Sequence, residues 1–237
     1  MPVEIGRIEA IYRYPVKSMR GEALDAATLG WHGIDGDRRF AFRRLDDRSG
    51  MPWLTASTLP DLVRFTPLSE DGKLTRVRTP EGEDLPLFGE ALAAEVGRRH
   101  KAPVQMMQIR QGIFDEATVS VIASGTVREI CQLGGTAEDV RRFRPNILVR
   151  TVRAIPFEED EWVGGELTFG EGDDPAAVSV TMRDIRCVMV NIDPDTGGLA
   201  HEMMKAVVRV HQNTAGIYGT VTRTGRLTVG QSVVLHR

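Results

Sequence analysis

The sequence has little cysteine, no long apolar run and no large excess of one charge, and each shortage excludes a class of protein. Two cysteines among 237 residues cannot form a disulfide framework or supply the four thiolates of an iron–sulfur cluster. A net charge of -3 argues against a general nucleic-acid-binding protein. No apolar run approaches the ~18 residues of a membrane span, and the charged N-terminus lacks the apolar core of a signal peptide. We therefore expect a cytoplasmic protein without nucleic-acid or membrane partners.

Motifs of several common enzyme classes are missing as well. The five histidines show no metal-binding spacing. The chain contains neither a Gly-x-Ser-x-Gly nucleophile elbow nor a Gly-x-Gly-x-x-Gly dinucleotide motif. Any chemistry must therefore come from smaller groups of residues.

Alternating apolar and polar residues predict many short β-strands. The clearest example is 38–44, where Arg38, Phe40 and Phe42 share one face. The segment 224–235 predicts a hairpin that ends a barrel. The other predicted strands cover 5–14, 62–67, 75–78, 104–108, 118–122, 146–150, 166–169, 178–182, 188–192 and 216–221.

Helical patterns are fewer and shorter. They predict helices over 90–97, 124–133 and 203–210, although the β-branched residues of the last segment suit a strand equally well. We expect Ser124 or Thr126 to cap the second helix and the Gly134-Gly135 pair to end it. Many short strands with few helices predict a mostly β, barrel-like fold with a minor α+β component.

Two segments of the N-terminal half carry groups that suit an anion. Lys17 and Ser18 place an ammonium beside a hydroxyl, and both are good phosphate donors; a solvated lysine at a strand end is the alternative. Arg38 lies on an apolar face and needs an anionic partner, because burying an unpaired charge is costly. Either Asp35 or Asp37, or a ligand phosphate, can fill that role.

A third segment, 141–149, leads three arginines into an apolar strand. Arginine makes bidentate contacts with anions, and the amide of Asn146 can match the polar edge of a flat heterocycle. The alternative is an ordinary basic loop in which Asn146 bonds its own backbone.

Cys187 follows an apolar strand and a predicted turn at Arg183-Asp184. In the predicted strand 188–192, alternation puts Cys187 on the more polar face, and the neighbouring Arg186 favours its thiolate. The pattern leaves open a metal ligand, a sulfur carrier, a nucleophile or a small buried hydrophobe. Cys131, on the apolar side of the predicted helix 124–133, fits the last of these roles.

Seven strings in a fixed order carry a family resemblance. They are Tyr-Pro-Val-Lys-Ser at 14–18, Gly-Asp-Arg-Arg-Phe at 36–40, Phe-Arg-Pro-Asn-Ile at 143–147, Glu-Asp-Glu-Trp-Val-Gly at 159–164, Arg-Cys at 186–187, Asp-Pro-Asp-Thr-Gly at 193–197 and the closing Val-Gly-Gln-Ser-Val. Together they resemble the longer MOSC-domain proteins, such as the mitochondrial amidoxime-reducing component and its bacterial relatives. The resemblance implies a β-rich MOSC N-terminal region at 1–104 and a β-barrel MOSC domain at 105–237.

The resemblance also implies a molybdenum cofactor, molybdopterin, and a family-level association with pyridoxal phosphate binding. Cys187 matches the family's metal ligand. The cofactor-binding residues that the resemblance implies are Lys17, Ser18 and Arg38 at the phosphate end, Arg144, Asn146 and Arg186 elsewhere, and, by a looser match, Asp115, Ser124 and Thr126. The chain departs from the pattern at Ile185, where relatives often have a small polar residue.

By this resemblance, the chain is expected to reduce N-hydroxylated compounds, with electrons from a separate ferredoxin-, flavin- or cytochrome-type protein. Asp193 or Asp195 is then either a proton relay or part of a turn. The alternative is a carrier that holds sulfur as a persulfide on Cys187, or holds the cofactor for delivery, without redox turnover. A third reading is a β-barrel ligand-binding protein. The nucleophile reading of Cys187 lacks a general base and a third partner.

Overall fold

The computed structural model describes residues 2–70, 72–172 and 174–237. Its helices are α1 (Glu90–His100), α2 (Ser124–Leu133) and α3 (His201–His211). Its strands are β1 (Val3–Arg13), β2 (Glu22–Leu24), β3 (Ala26–Gly30), β4 (Gly33–Ile34), β5 (Phe40–Arg44), β6 (Thr66–Glu70), β7 (Lys73–Arg78), β8 (Asp84–Pro86), β9 (Val104–Gln108), β10 (Val119–Ala123), β11 (Ile147–Thr151), β12 (Glu166–Phe169), β13 (Ala176–Ile185), β14 (Thr214–Arg223), β15 (Gly225–Thr228) and β16 (Ser232–His236). None of the helices in this described part of the chain has the length and apolar character of a membrane span.

A closed β-barrel forms the centre of the molecule. Its strand order is β11-β10-β14-β13-β12-β16-β1, and β1 closes the ring by also pairing with β11. The β10–β11 pair is parallel, and the other pairs around the ring are antiparallel. Gly6 lies opposite Thr151, and a Cβ there would collide with the carbonyl oxygen of Arg150, so this pairing requires glycine. Closure leaves no free sheet edge on the barrel, and the predicted β-barrel fold is confirmed.

Branched aliphatic side chains fill the barrel interior. Each such side chain contributes about 1.5–3 kcal/mol when it is removed from water. Fully or almost fully buried examples are Ile8, Ile11, Val121, Ile147, Val149, Leu167, Val178, Ile217 and Val233. They come from both ends of the chain, so the barrel forms only after the N-terminal strand meets strands more than a hundred residues later.

A second core lies under the segment between β4 and β10. There β5 pairs with β9, the three strands β6, β7 and β8 form a separate sheet, and α1 packs over them. Phe65 and Val96 are among its fully buried residues. Ile192, from the C-terminal half, packs into the same core and ties it to the barrel. The proposed division at residues 104 and 105 stays a prediction.

Helices α2 and α3 pack against each other and against the barrel through a third core. Val127, Ile130 and Cys131 of α2 and Met203 of α3 are buried there. The predicted helix at 203–210 is therefore confirmed as a helix. The predicted cap of α2 is wrong: Ala123 occupies the N-cap position and no side chain caps the helix, because α2 follows β10 without a loop.

Three other predictions require correction. Residues 188–191 form one 3-10 turn rather than a strand, and they leave the sheet although Val188, Val190 and Ile192 alternate as a strand would. The predicted strand 62–67 begins inside a 3-10 turn at Pro60–Arg64, and β6 follows it. The closing segment is not a hairpin, because β15 pairs with β3 while β16 pairs with β1 and β12.

Candidate functional site

A cleft of about 310 Å³ opens among the loops that follow β1 and β13 and precede β5, β10 and β11. Strand pairing across the barrel brings these loops together although they are far apart in sequence. Predicted site residues line much of the cleft: Lys17, Ser18, Arg38, Asp115, Arg144, Arg186 and Cys187. Cys187, which is exposed whereas Cys131 is buried, therefore shares one cleft with several cationic groups.

The backbone of this cleft is strained at three positions. Ser18, Arg38 and Arg144 have φ angles of 67°, 50° and 53°, which place them in the left-handed region that non-glycine residues seldom occupy. Such a conformation costs on the order of 1 kcal/mol and persists only where surrounding contacts hold it. All three are predicted cofactor residues, and strain of this kind is concentrated at binding sites.

Arg38 pairs with the buried Asp37, as one of the two predicted alternatives requires. Asp37 is 0% exposed and also accepts hydrogen bonds from the backbone N of Tyr14 at 2.7 Å and from Asn146 Nδ2 at 3.1 Å. The Asn146 Oδ1 accepts from Ser120 N at 3.1 Å. The amide of Asn146 thus orients Arg38 and Asp37 from beneath the cleft.

The predicted position of Arg38 on a strand is wrong. Arg38 precedes β5 in a turn, and its left-handed backbone separates it from the Phe40–Arg44 ladder. That turn directs its guanidinium toward Asp37 and the Arg144 carbonyl oxygen, 3.0 Å away.

Arg144 lacks a carboxylate partner. Its Nη1 donates to the Met19 carbonyl oxygen at 2.7 Å, and its guanidinium stacks 4.1 Å above the ring of the buried Tyr14. Its Nη2 is buried and has no hydrogen-bond partner among the described residues. Burial lowers the pKa of Arg144 to about 10 and the charge of Arg38 lowers it further, while the Asp37 and Asp115 carboxylates oppose the change without reversing it. A bound anion would satisfy both the charge and the free donor.

Lys17 is only 6% exposed and donates to Asp115 Oδ1 at 2.7 Å. Burial lowers the pKa of Lys17, and the Asp115 carboxylate opposes that change. Burial alone would raise the pKa of Asp115, but the charge and hydrogen bond of Lys17 outweigh it and the pKa is lowered. The pair therefore stays ionised, and it can turn its ammonium toward a phosphate.

Cys187 lies two residues after the end of β13 and directly precedes the 3-10 turn, with its side chain exposed. The neighbouring Arg186 is buried and donates to the carbonyl oxygens of Ala215 at 2.7 Å and Phe143 at 2.8 Å. Its Nη2 lies 2.9 Å from Asp184 Oδ2. Arg186 therefore anchors the loop that presents the cysteine.

Sequence reasoning missed Asp184, because Arg183-Asp184 was predicted as a turn. Both residues lie inside β13, which continues to Ile185. Asp184 is 1% exposed, lines the cleft and accepts from Ser120 Oγ at 3.0 Å. Burial raises its pKa to about 6, against the opposing charge of Arg186. No sequence signal marks this residue, because its burial and its hydrogen bond from Ser120, which lies on another strand, arise only in the folded barrel.

Ser124 and Thr126 do not line the cleft. Both are buried in the first turn of α2, where Thr126 Oγ1 donates to Glu159 at 2.8 Å and accepts from the backbone N of Phe157 at 2.7 Å. Burial raises the pKa of Glu159 to about 7. In the described structure, these residues join α2 to the loop after β11.

Asp193 and Asp195 shape the turn after Ile192. Asp193 Oδ1 accepts from the backbone N of Asp195 at 3.1 Å and of Thr196 at 2.9 Å. Asp195 bridges Arg20 and Arg141, at 3.0 Å and 2.7 Å. Arg20 and Arg141 line a small pocket of about 110 Å³ beside the cleft, and neither aspartate lines the cleft itself.

Two protein-family models match the chain, and together they cover most of it. Residues 93–234 match the family model described as the MOSC domain, and residues 5–121 match the model described as the MOSC N-terminal beta barrel domain. No curated protein sequence matches the chain.

The solved structures to which the chain was matched are distant in sequence. The YuaD protein from Bacillus subtilis is 14% identical, with a TM-score of 0.55 over 100% of this chain and 97% of that one. YiiM from Geobacillus stearothermophilus is 18% identical, with a TM-score of 0.39 over 51% of this chain and 55% of that one. At such identity, the likeness to YuaD shows a shared fold and nothing finer.

Proposed function

This chain belongs to the MOSC-domain family, and we propose that it binds a molybdenum cofactor in the cleft and reduces N-hydroxylated compounds. The observation that carries the proposal is that one cleft holds both the exposed Cys187 and Arg144, whose buried Nη2 has no hydrogen-bond partner among the described residues. A thiolate is a soft metal ligand, and Arg144 offers a free donor and an unmatched charge to an anion.

The residues of the cleft fit such a cofactor in charge and in donor type. Lys17, Ser18, Arg38 and Arg144 would hold its phosphate end, since ammonium, hydroxyl and guanidinium groups all donate to phosphate oxygens. Cys187 would be the protein ligand of the metal. Within the described residues, no three His, Cys, Asp or Glu side chains gather as a metal site. A metal at Cys187 would therefore take its other ligands from the cofactor.

When bound, the cofactor supplies the two-electron transfer, while the protein supplies orientation and electrostatics. Cys131, the other of the two cysteines, is buried in the third core and cannot serve as an accessible thiol of an electron-transfer centre. The electrons would come from a separate ferredoxin-, flavin- or cytochrome-type protein.

The proposal is tested on protein purified from a host that makes the cofactor. Molybdenum per chain is measured, together with benzamidoxime reduction by an artificial electron donor. We expect stoichiometric metal with turnover in the wild type and loss of both in Cys187→Ala. The matched control is Cys131→Ala, which removes the buried thiol and should keep the metal and the turnover if the protein is folded.

A carrier role is the second candidate, and the exposure of Cys187 favours it, because an accessible thiol can accept or deliver sulfur. Metal or cyanide-releasable sulfur without turnover would support the carrier. Folded protein with neither metal nor releasable sulfur would contradict both candidates.

A further inference from the structure

Asp184 is a buried carboxyl group in the cleft that the cofactor contacts do not use. Its Oδ2 accepts a hydrogen bond from Ser120 Oγ at 3.0 Å and lies 2.9 Å from Arg186 Nη2, with which it forms an ion pair. Its Oδ1 is buried and has no hydrogen-bond partner among the described residues. A buried carboxylate oxygen without a partner is costly, whereas a proton on that oxygen removes part of the cost.

The groups facing Asp184 come from β10, from β14, from the loop after β13 and from the far side of the cleft. Arg186 after β13 and Ser120 on β10 favour the ionised carboxylate. Burial opposes them and is the larger effect, so the pKa is raised to about 6. Across the cleft, Asp115 raises this pKa and Arg38 lowers it.

Tyr218 on β14 lines the same cleft wall. Burial raises its pKa, and the charge of Asp184 raises it further, so Tyr218 stays protonated. Asp184, whose pKa burial raises to about 6, can therefore hold or release a proton near neutral pH.

We propose that Asp184 is the proton donor to the oxygen that leaves the substrate, an inference that rests on the proposed reductase function. The balanced conversion is R–NH–OH + 2 e⁻ + 2 H⁺ → R–NH₂ + H₂O. The N–O bond breaks, and one N–H and one O–H bond form. The electrons come from the reduced ferredoxin-, flavin- or cytochrome-type protein. Asp184 Oδ1 releases the proton of the new O–H bond, solvent supplies the proton of the new N–H bond, and solvent in the cleft then reprotonates Oδ1.

The first test compares the pH dependence of kcat/KM in the wild type and in Asp184→Asn, with benzamidoxime as substrate. Wild-type kcat/KM should be flat at acid pH and fall about tenfold per pH unit above a pH of about 6, as the protonated fraction falls. At acid pH, the kcat/KM of Asp184→Asn should be about 10²–10⁴-fold lower than that of the wild type. It should also lack the fall at higher pH, which is the alkaline limb of the pH profile. Asp184→Glu, which keeps a carboxyl group, should restore the limb.

A second variant separates proton donation from a structural role. The Ser120 hydroxyl stabilises the ionised form of Asp184, so Ser120→Ala should raise the pKa of Asp184 and move the limb to higher pH. A carboxyl group that only anchors Arg186 would leave the limb in place. Molybdenum content and circular dichroism are measured on every variant.

The outcomes separate the two proposals. Wild-type protein that holds molybdenum without any turnover overturns the reductase function and the proton-donor role together. Turnover with no limb, or with a limb that persists in Asp184→Asn, overturns only the proton-donor role. If Asp184→Asn does not fold, an unmoved limb in Ser120→Ala overturns it.

Discussion

Replacing Asp37 with asparagine removes the negative charge on which the floor of the cleft depends. Asp37 is 0% exposed, and its Oδ2 faces donors from both Arg38 and Asn146. An asparagine oxygen can still accept from the Tyr14 backbone N, as Oδ1 does at 2.7 Å. The new amide nitrogen would then face two other donors, and Arg38 would stay buried without its carboxylate.

The structure sets the size of the loss. Removing one partner of a buried ion pair costs about 3–5 kcal/mol, because the remaining charge stays buried and uncompensated. That is a large fraction of the ~5–15 kcal/mol by which folded proteins are stable. At a typical dependence of about 2 kcal/mol per molar urea, the unfolding midpoint should fall by about 2 M.

Urea unfolding followed by circular dichroism measures this loss. The matched control is Asp84→Asn, which breaks the exposed pair between Asp84 and Arg78 and should leave the midpoint unchanged within error. If Asp37→Asn lost less than about 1 kcal/mol, the buried pair would be worth no more than a surface pair. The account of Arg38 as a charge held by Asp37 would then be refuted.

Three further predictions concern the cleft and the titration of the fold. Arg144→Gln should lower the molybdenum content of purified protein because it removes a buried charge that would hold the anion. Arg128→Gln, on the exposed face of α2, should leave the molybdenum content unchanged. Equal molybdenum contents in the two variants would contradict the anion-binding role of Arg144. Cys187→Ser should leave the urea midpoint unchanged because its side chain is exposed, while Cys131→Ser should lose about 1–3 kcal/mol by burying a hydroxyl in the third core. Burial raises the pKa of Glu159 from 4.5 to about 7, so its contribution to the free energy of unfolding should fall, on the order of 3 kcal/mol, as pH rises through that range. In urea unfolding, the free energy of Glu159→Gln should lack that part of the pH dependence. If the free energy of unfolding changed equally with pH in both proteins, the raised pKa of Glu159 would be contradicted.

Local sequence determined most of the strands, because alternation and turn residues act over a few positions. The strand β12 at 166–169 and the helix α2 at 124–133 have the predicted bounds. The same local rule failed at 188–192, where alternating valines mimic a strand. There Val190 packs into the third core and Ile192 into the second, while Val188 is exposed, so no single sheet face buries the apolar residues.

The seven ordered strings predicted the family from sequence, and the family models confirm it. Of the predicted site residues, the cleft lining gathers Lys17, Ser18, Arg38, Asp115, Arg144, Arg186 and Cys187, while Asn146 lies beneath it and Ser124 and Thr126 lie in α2. The roles of these residues stay predictions.

Residue type and order, which the sequence holds directly, were enough to indicate a β-barrel, a cysteine and a set of anion-binding groups. Burial and partners were decided only by tertiary structure, because each depends on strands that meet from distant parts of the chain. Asp37 gained its role from Asn146, 109 positions away, and Asp184 gained its hydrogen-bond donor from Ser120, 64 positions away, while burial in the folded barrel raised its pKa. An aspartate in a sequence has an ordinary pKa, and only the folded barrel removes the water that keeps it so.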